Sequence, residues 1–142
     1  MGSPVQAEQF ARYLGPFAAG LGLRLMEASG DGVRAELEIG PALHQPYGIV
    51  HGGVYCTAVE TTASIGAALW YGDRGQTVGV ANSTNFLRSA RSGRLVIQAS
   101  PIHRGRTQQL WLVEITNESG RPVARGEVRL ANIADASVLG RP

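Results

Sequence analysis

Cysteine occurs once, at position 56, so no disulfide can close within the chain, and a reducing, cytoplasmic location is expected. Histidine occurs at 44, 51 and 103 only, with no HxxxH and no Cys/His spacing, so no metal site is expected. No segment reaches membrane-spanning length, and no basic stretch followed by an apolar run opens the chain, so no membrane partner is expected. Charge is sparse too: 13 cationic and 11 acidic side chains leave a formal +2. The arginines are scattered rather than run together, which argues against nucleic acid as a partner. The GxGxxG and Walker-type loops and the GxSxG elbow are missing. What is present is an ordinary globular composition, 44% apolar and 17% charged, in 142 residues that suit a single domain, 1–142.

Against that background one stretch stands out: His51-Gly-Gly-Val-Tyr-Cys-Thr-Ala-Val-Glu60-Thr-Thr-Ala-Ser64. A Pro/Gly/His-rich loop, 46–53, runs into small and apolar residues with one carboxylate among them. The glycines permit close backbone approach and leave free N–H groups where a helix begins, a place suited to an anion or a developing oxyanion.

Around this stretch the chain reads in order. Pro4 to Leu14 predicts a short amphipathic helix ended by Gly15-Pro16. Leu21 to Ala28 and Val33 to Ile39 flank the turn cluster Ser29–Gly32 and predict a hairpin. Its second strand alternates Val33, Ala35, Leu37 and Ile39 against Arg34, Glu36 and Glu38, the mark of one solvated face. Gly53 to Trp70 predicts the one long helix, with Val54, Ala58, Ile65, Ala68 and Leu69 on one side. Gly53, Thr57, Glu60 and Ser64 form a second stripe, and the helix is rich enough in small residues to be buried. From Thr77 the period changes to two, and Thr77–Arg88, Arg94–His103, Gln108–Thr116 and Pro122–Ile133 predict four strands, expected as antiparallel neighbours. The expected class is α+β, a six-stranded antiparallel sheet wrapped around one long central helix, with a core from about 20 to 133 and a frayed tail beyond.

Glu60 is the first candidate for chemistry. A helical glutamate ordinarily reaches solvent, but the stripe around this one is Gly, Thr and Ser with no base on the helix, which favours a role as base or nucleophile. It lies eight residues past Gly52, about 12 Å along a helix, so one helix cannot bring its own first N–H and its own Glu60 to one carbon. Two such helices, antiparallel about a twofold axis, can. A shared site in a homodimer is therefore expected. His51 reads as a brace for the loop rather than a base. Cys56 has no histidine to activate it and reads as a small core residue. Gln45 is a surface glutamine unless its amide orients water or a carbonyl. Arg88, Arg91, Arg94, Arg104 and Arg106 fall at strand ends, as a solvated rim or as a clamp for phosphate. Tyr47, Tyr55 and Trp70, with the loop 40–50, are candidates to line a pocket.

The run Gly48-Ile-Val-His51-Gly-Gly-Val-Tyr-Cys-Thr-Ala-Val-Glu60, followed by Asn82-Ser-Thr-Asn-Phe-Leu-Arg88, resembles the hotdog-fold acyl-CoA thioesterases of the phenylacetate-pathway and 4-hydroxybenzoyl-CoA type. The resemblance spans roughly residues 20 to 133. It implies hydrolysis of an acyl-CoA or aryl-CoA substrate without a cofactor, with Glu60 as nucleophile or general base and the Gly52 N–H of the partner's helix polarising the carbonyl. Gln45 and Ser64 match polar active-site positions, and His51 a supporting one. Gly53, Asn82, Arg88, Arg104, Arg106 and Thr107 make up the set implied to hold CoA. Such relatives form homodimers that pair into homotetramers. Many carry Asp where this chain has Glu60, and Pro where it has Ser89. The alternatives are a hotdog hydratase or dehydratase, which needs a His and an acid paired across the site, and a non-catalytic acyl-CoA-binding module.

Overall fold

The computed structural model describes residues 9–135. Helix α1 (Phe10–Gly20) is followed by β1 (Arg24–Ser29), β2 (Gly32–Ile39), α2 (Gly52–Tyr71), β3 (Gln76–Phe86), β4 (Gly93–Arg104), β5 (Gln108–Thr116) and β6 (Pro122–Ile133). The expected helix over 4–14 falls partly outside the described residues. Within them, Gly15-Pro16 kinks the helix instead of ending it: Gly15 takes a φ of 73°, and the helix resumes and runs to Gly20. Proline is tolerated there because the first turn of the resumed helix has no use for its missing N–H.

All strand pairings are antiparallel, in the order β1-β2-β4-β5-β6-β3. The expectation that the last four strands neighbour one another in chain order fails at one point. β3 pairs with β6, and β4 pairs with β2. The register explains the choice: Ala35 faces Ile97 and Leu37 faces Leu95, all four buried, so β2 extends its apolar face only with β4 beside it. β3 is left as an outer strand of the sheet, with Val78 and Val80 exposed.

α2 lies across the sheet and touches every strand. That enclosure buries a broader arc than one apolar stripe. Val54, Ala58 and Ile65 are buried as expected, but Ala68 is exposed and Leu69 only partly covered, while Tyr55, Val59, Thr62, Ala63, Gly66 and Ala67 are buried. The small residues set the distance: a Cβ on Gly66 would sit 2.5 Å from the fully buried Trp111 ring. The hairpin's solvated face also departs from expectation at Glu36, which is buried beside Arg94, 3.9 Å away, because β4 covers it.

The centre of the sheet is closed by polar bonds as well as packing. Gln109, fully buried on β5, donates through Nε2 to the Ala67 carbonyl of α2 (3.1 Å) and to Asn132 Oδ1 (2.9 Å). Its Oε1 accepts from Trp111 Nε1 at 2.8 Å. Every polar atom of that amide has a partner, as burial demands.

Candidate active site

The loop before α2 is fastened from several sides. His44 Nε2 donates to the Arg91 carbonyl (2.8 Å), Arg91 Nη1 donates to the carbonyls of Tyr47 and Gly48 (3.3 Å each), and the Val50 N–H donates to Ala90 (2.9 Å). Inside the loop, Gln45 Oε1 accepts from the Tyr47 N–H, which closes a turn. The loop therefore enters α2 in one fixed direction.

His51 is the N-cap of α2. Its Nδ1 accepts from the Gly53 N–H at 2.8 Å, and its carbonyl accepts from the Val54 N–H at 2.9 Å. With Nδ1 an acceptor, the ring proton sits on Nε2. These two bonds use up the second and third amides of the helix. The first, on Gly52, has no acceptor among the described residues and is the open end of the helix dipole. Gly53, whose own N–H is taken by His51, is not so free.

A cavity of about 420 Å³ opens at this helix start. Ile49, Val50, Phe86 and Leu87 give it apolar walls, and Gln45, Gly52 and Arg88 stand on it. Tyr55 lines it too, with its ring centroid 5.6 Å from that of Phe86. Of the described buried side chains, Tyr55 alone has a polar atom without a partner, its hydroxyl. Burial pushes that phenol above its ordinary value of 10.0. Tyr47 is exposed at 82%, and Trp70 lies elsewhere, stacked under Arg74 at 4.4 Å and packed against Gly30. Neither lines the cavity.

Glu60, half-buried, is two turns further along α2 and is not on this cavity. Ser64 Oγ donates to its Oε2 and Asn82 Nδ2 to its Oε1, each at 3.3 Å. Among the described residues no cation pairs with it. The strand beside it has no room to spare: a Cβ on Gly79 would overlap Glu60 Oε2. Within one chain, then, Gln45, Gly52 and Arg88 come together on the cavity, Glu60, Ser64 and Asn82 come together elsewhere, and the helix keeps the two groups apart.

The five arginines divide in the same way. Arg91 holds the loop, Arg94 faces Glu36, and Arg104 donates to the Gly30 carbonyl (2.6 Å) and Asp31 (2.9 Å), clasping the β1–β2 turn. Arg88 and Arg106 are exposed and without an ion pair among the described residues. Asn132 Nδ2 holds the carbonyls of Gly105 (2.9 Å) and Arg106 (3.2 Å), and its N–H donates to the Thr107 carbonyl (2.9 Å), which presents Arg106 and Thr107 on the β4–β5 turn. Gly79 and the Tyr55 hydroxyl were not singled out by sequence reasoning. An isolated glycine inside a strand pattern is a cue for a bulge or a close approach, and that cue marks Gly79.

The chain matches the Thioesterase superfamily over residues 47–124. It is 51% identical over 121 residues to Rv1847 of Mycobacterium tuberculosis, a protein provisionally named an esterase, covering 83% of this chain and 86% of that one. The solved structure of that protein superposes with a TM-score of 0.83 over 89% of this chain and 99% of the other. The 1,4-dihydroxy-2-naphthoyl-CoA hydrolase of Escherichia coli is 32% identical over 101 residues, 71% of this chain and 73% of that one. The structure of the thioesterase HI1161 from Haemophilus influenzae matches with a TM-score of 0.85 at 27% identity, over 91% of each chain.

Proposed function

We propose that this chain, which belongs to the thioesterase superfamily, has its hotdog fold and is a thioester hydrolase, cleaves acyl- or aryl-CoA thioesters to the free carboxylate and CoA. The observation that carries the reading is the pair of complementary halves on one helix. Among the described residues the Gly52 N–H, which opens on a cavity, has no acceptor, and two turns away a carboxylate without an ion-pair partner is held by neutral donors.

The halves meet across a twofold axis. β3 is an outer strand whose second side has no partner among the described residues, and such edges call for cover. The Phe86 end of β3 lies against Gly52, and the Gly79 end lies against Glu60. Antiparallel pairing of two β3 edges about their middle brings the Gly52 end of each chain to the Glu60 end of the other. A homodimer then holds two complete sites, and a homotetramer is a pair of such dimers.

In that site the thioester carbonyl oxygen takes the Gly52 N–H, assisted by the helix dipole. One donor of this kind stabilises a developing oxyanion by about 3 to 4 kcal/mol. Glu60 either attacks the carbonyl carbon or takes the proton of a water that does. When water attacks, the tetrahedral oxyanion collapses, the C–S bond breaks, the carboxylic acid is released and the CoA thiolate takes the proton that Glu60 had accepted. When Glu60 attacks, collapse expels the thiolate and leaves an acyl–Glu60 anhydride. Water hydrolyses that anhydride to the carboxylate, restoring Glu60 and supplying the proton for the thiol. Gln45 and Ser64 flank the reacting groups, and His51 keeps the helix start in shape. The CoA class is supported by the relative named for a CoA thioester and by the exposed guanidinium of Arg88 on the cavity, suited to a phosphate. Arg106 and Thr107 on the β4–β5 turn extend that surface.

Free thiol followed over a panel of acyl- and aryl-CoAs tests the reaction. Release by the wild type and its collapse in Glu60→Ala are expected. Release at the wild-type rate in Glu60→Ala would remove the assigned role. Saturable CoA-thioester binding without release would favour a binding module. Specific activity measured on dilution, alongside sedimentation, tests the shared site: activity should fall with the dimer population, and a fully active monomer would sink it.

A further inference from the structure

We infer that Asn82 is a positioning residue for Glu60, aimed at it by a bulge in β3. This rests on the catalytic reading of Glu60 and goes beyond it, because Asn82 matches a CoA-binding position in the family resemblance, not a place beside the carboxylate. Gly79 and Asn82 are three residues apart, a spacing that sends side chains to opposite faces of a regular strand. The pairing of β3 with β6 slips between Gly79 and Ala81, so Val80 is an extra residue and the alternation changes phase there. As a result Gly79, Asn82 and Phe86 all meet α2.

The bonds of Asn82 define which way its amide faces. Nδ2 donates to the Cys56 carbonyl (3.1 Å) and to Glu60 Oε1 (3.3 Å), two groups that can only accept. Oδ1 accepts from Thr84 Oγ1 at 2.7 Å. The reverse orientation would set an oxygen against a carbonyl and a carboxylate. With Asn82 on Oε1 and Ser64 on Oε2, the plane of the Glu60 carboxylate is fixed from both sides. The missing side chain at Gly79 makes room for Oε2 against β3, in space that a Cβ would overlap. Thr84, Asn82 and Gly79 thus form a cradle, and Asn82 acts through Glu60 rather than on substrate.

Steady-state kinetics on Asn82→Ala and Asn82→Asp, alone and combined with Glu60→Ala, test this. Asn82→Ala should lower kcat about tenfold with KM for the CoA thioester little changed. Asn82→Asp keeps the shape, removes the N–H and adds a like charge, so it should lose at least as much. In the Glu60→Ala background neither change should lower the rate further. A raised KM at wild-type kcat would make Asn82 a CoA contact and overturn the inference, as would full additivity with Glu60→Ala. If the wild type released thiol from no thioester, the catalytic reading would fail separately. The same double-mutant cycle in thermal stability then decides the contact, with non-additive shifts supporting the Asn82–Glu60 coupling and additive ones overturning it.

Discussion

Two side-chain amides reach from the sheet to α2 and bond in the same pattern, with opposite consequences. Gln109 gives one hydrogen to a helix carbonyl, at Ala67, another to Asn132, and takes one from Trp111. Asn82 gives to a helix carbonyl, at Cys56, and to Glu60, and takes one from Thr84. Gln109 is fully buried and its network ends on backbone carbonyls and the Trp111 ring. Asn82 is exposed on an outer strand, and its network ends on a carboxylate with no counter-ion among the described residues. The same bonding device seals the fold at one end of the helix and, nearer the other, holds the carboxylate to which the proposed function assigns the chemistry. On that proposal, location in the sheet and not the chemistry of the amide separates stability from function.

The comparison breaks most visibly at Glu60. Glu60→Ala should lower thioester turnover by about 10³-fold while shifting the denaturant midpoint little, because no ion pair is lost and the two 3.3 Å hydrogen bonds given up come from donors that water can reach. A matching loss of stability would show that the carboxylate is structural. At the sealed end the outcomes should be reversed. Gln109→Leu leaves Trp111 Nε1 and the Asn132 amide short of partners and should destabilise by about 1–3 kcal/mol in urea unfolding, with kcat per folded molecule unchanged. The smallest effect belongs to Tyr55, which sits by the open end but carries an orphaned buried hydroxyl. Tyr55→Phe should raise stability by about 1 kcal/mol at neutral pH. The sign of its pH dependence follows from the raised phenol. Neutral Tyr55 is tolerated in the fold, and stability is full below pH 10.0 and is lost as the pH rises through the folded value, since the unfolded chain releases the proton first. Thermal midpoints taken above about pH 10 should therefore fall less steeply in Tyr55→Phe. An identical alkaline limb would remove Tyr55 as its source.

Much of the fold was legible because period and punctuation carry it. The bounds of β5 and β6 match their alternating runs, and the long helix is off by one residue at each end. Strand order was not legible, because which edge β3 joins depends on which apolar faces become continuous once α2 has crossed the sheet. His51 as a structural residue was readable from its place before two glycines; that it spends the Gly53 amide and spares that of Gly52 was not.

Sequence alone determined the ingredients: one carboxylate in a small-residue stripe, a helix start with two glycines, and a spacing that puts Glu60 eight positions after Gly52, a separation that local geometry makes rigid. Tertiary structure decided how each ingredient is used. It put Asn82 beside Glu60 through a change of phase at Val80, which no alternation of residue types encodes. It engaged Arg91, Arg94 and Arg104 in the fold and left Arg88 on the cavity without an ion pair among the described residues. Identical side chains acquire different roles because hydrogen-bond and ion-pair partners come from strands distant in the chain, and only packing fixes which strands are near.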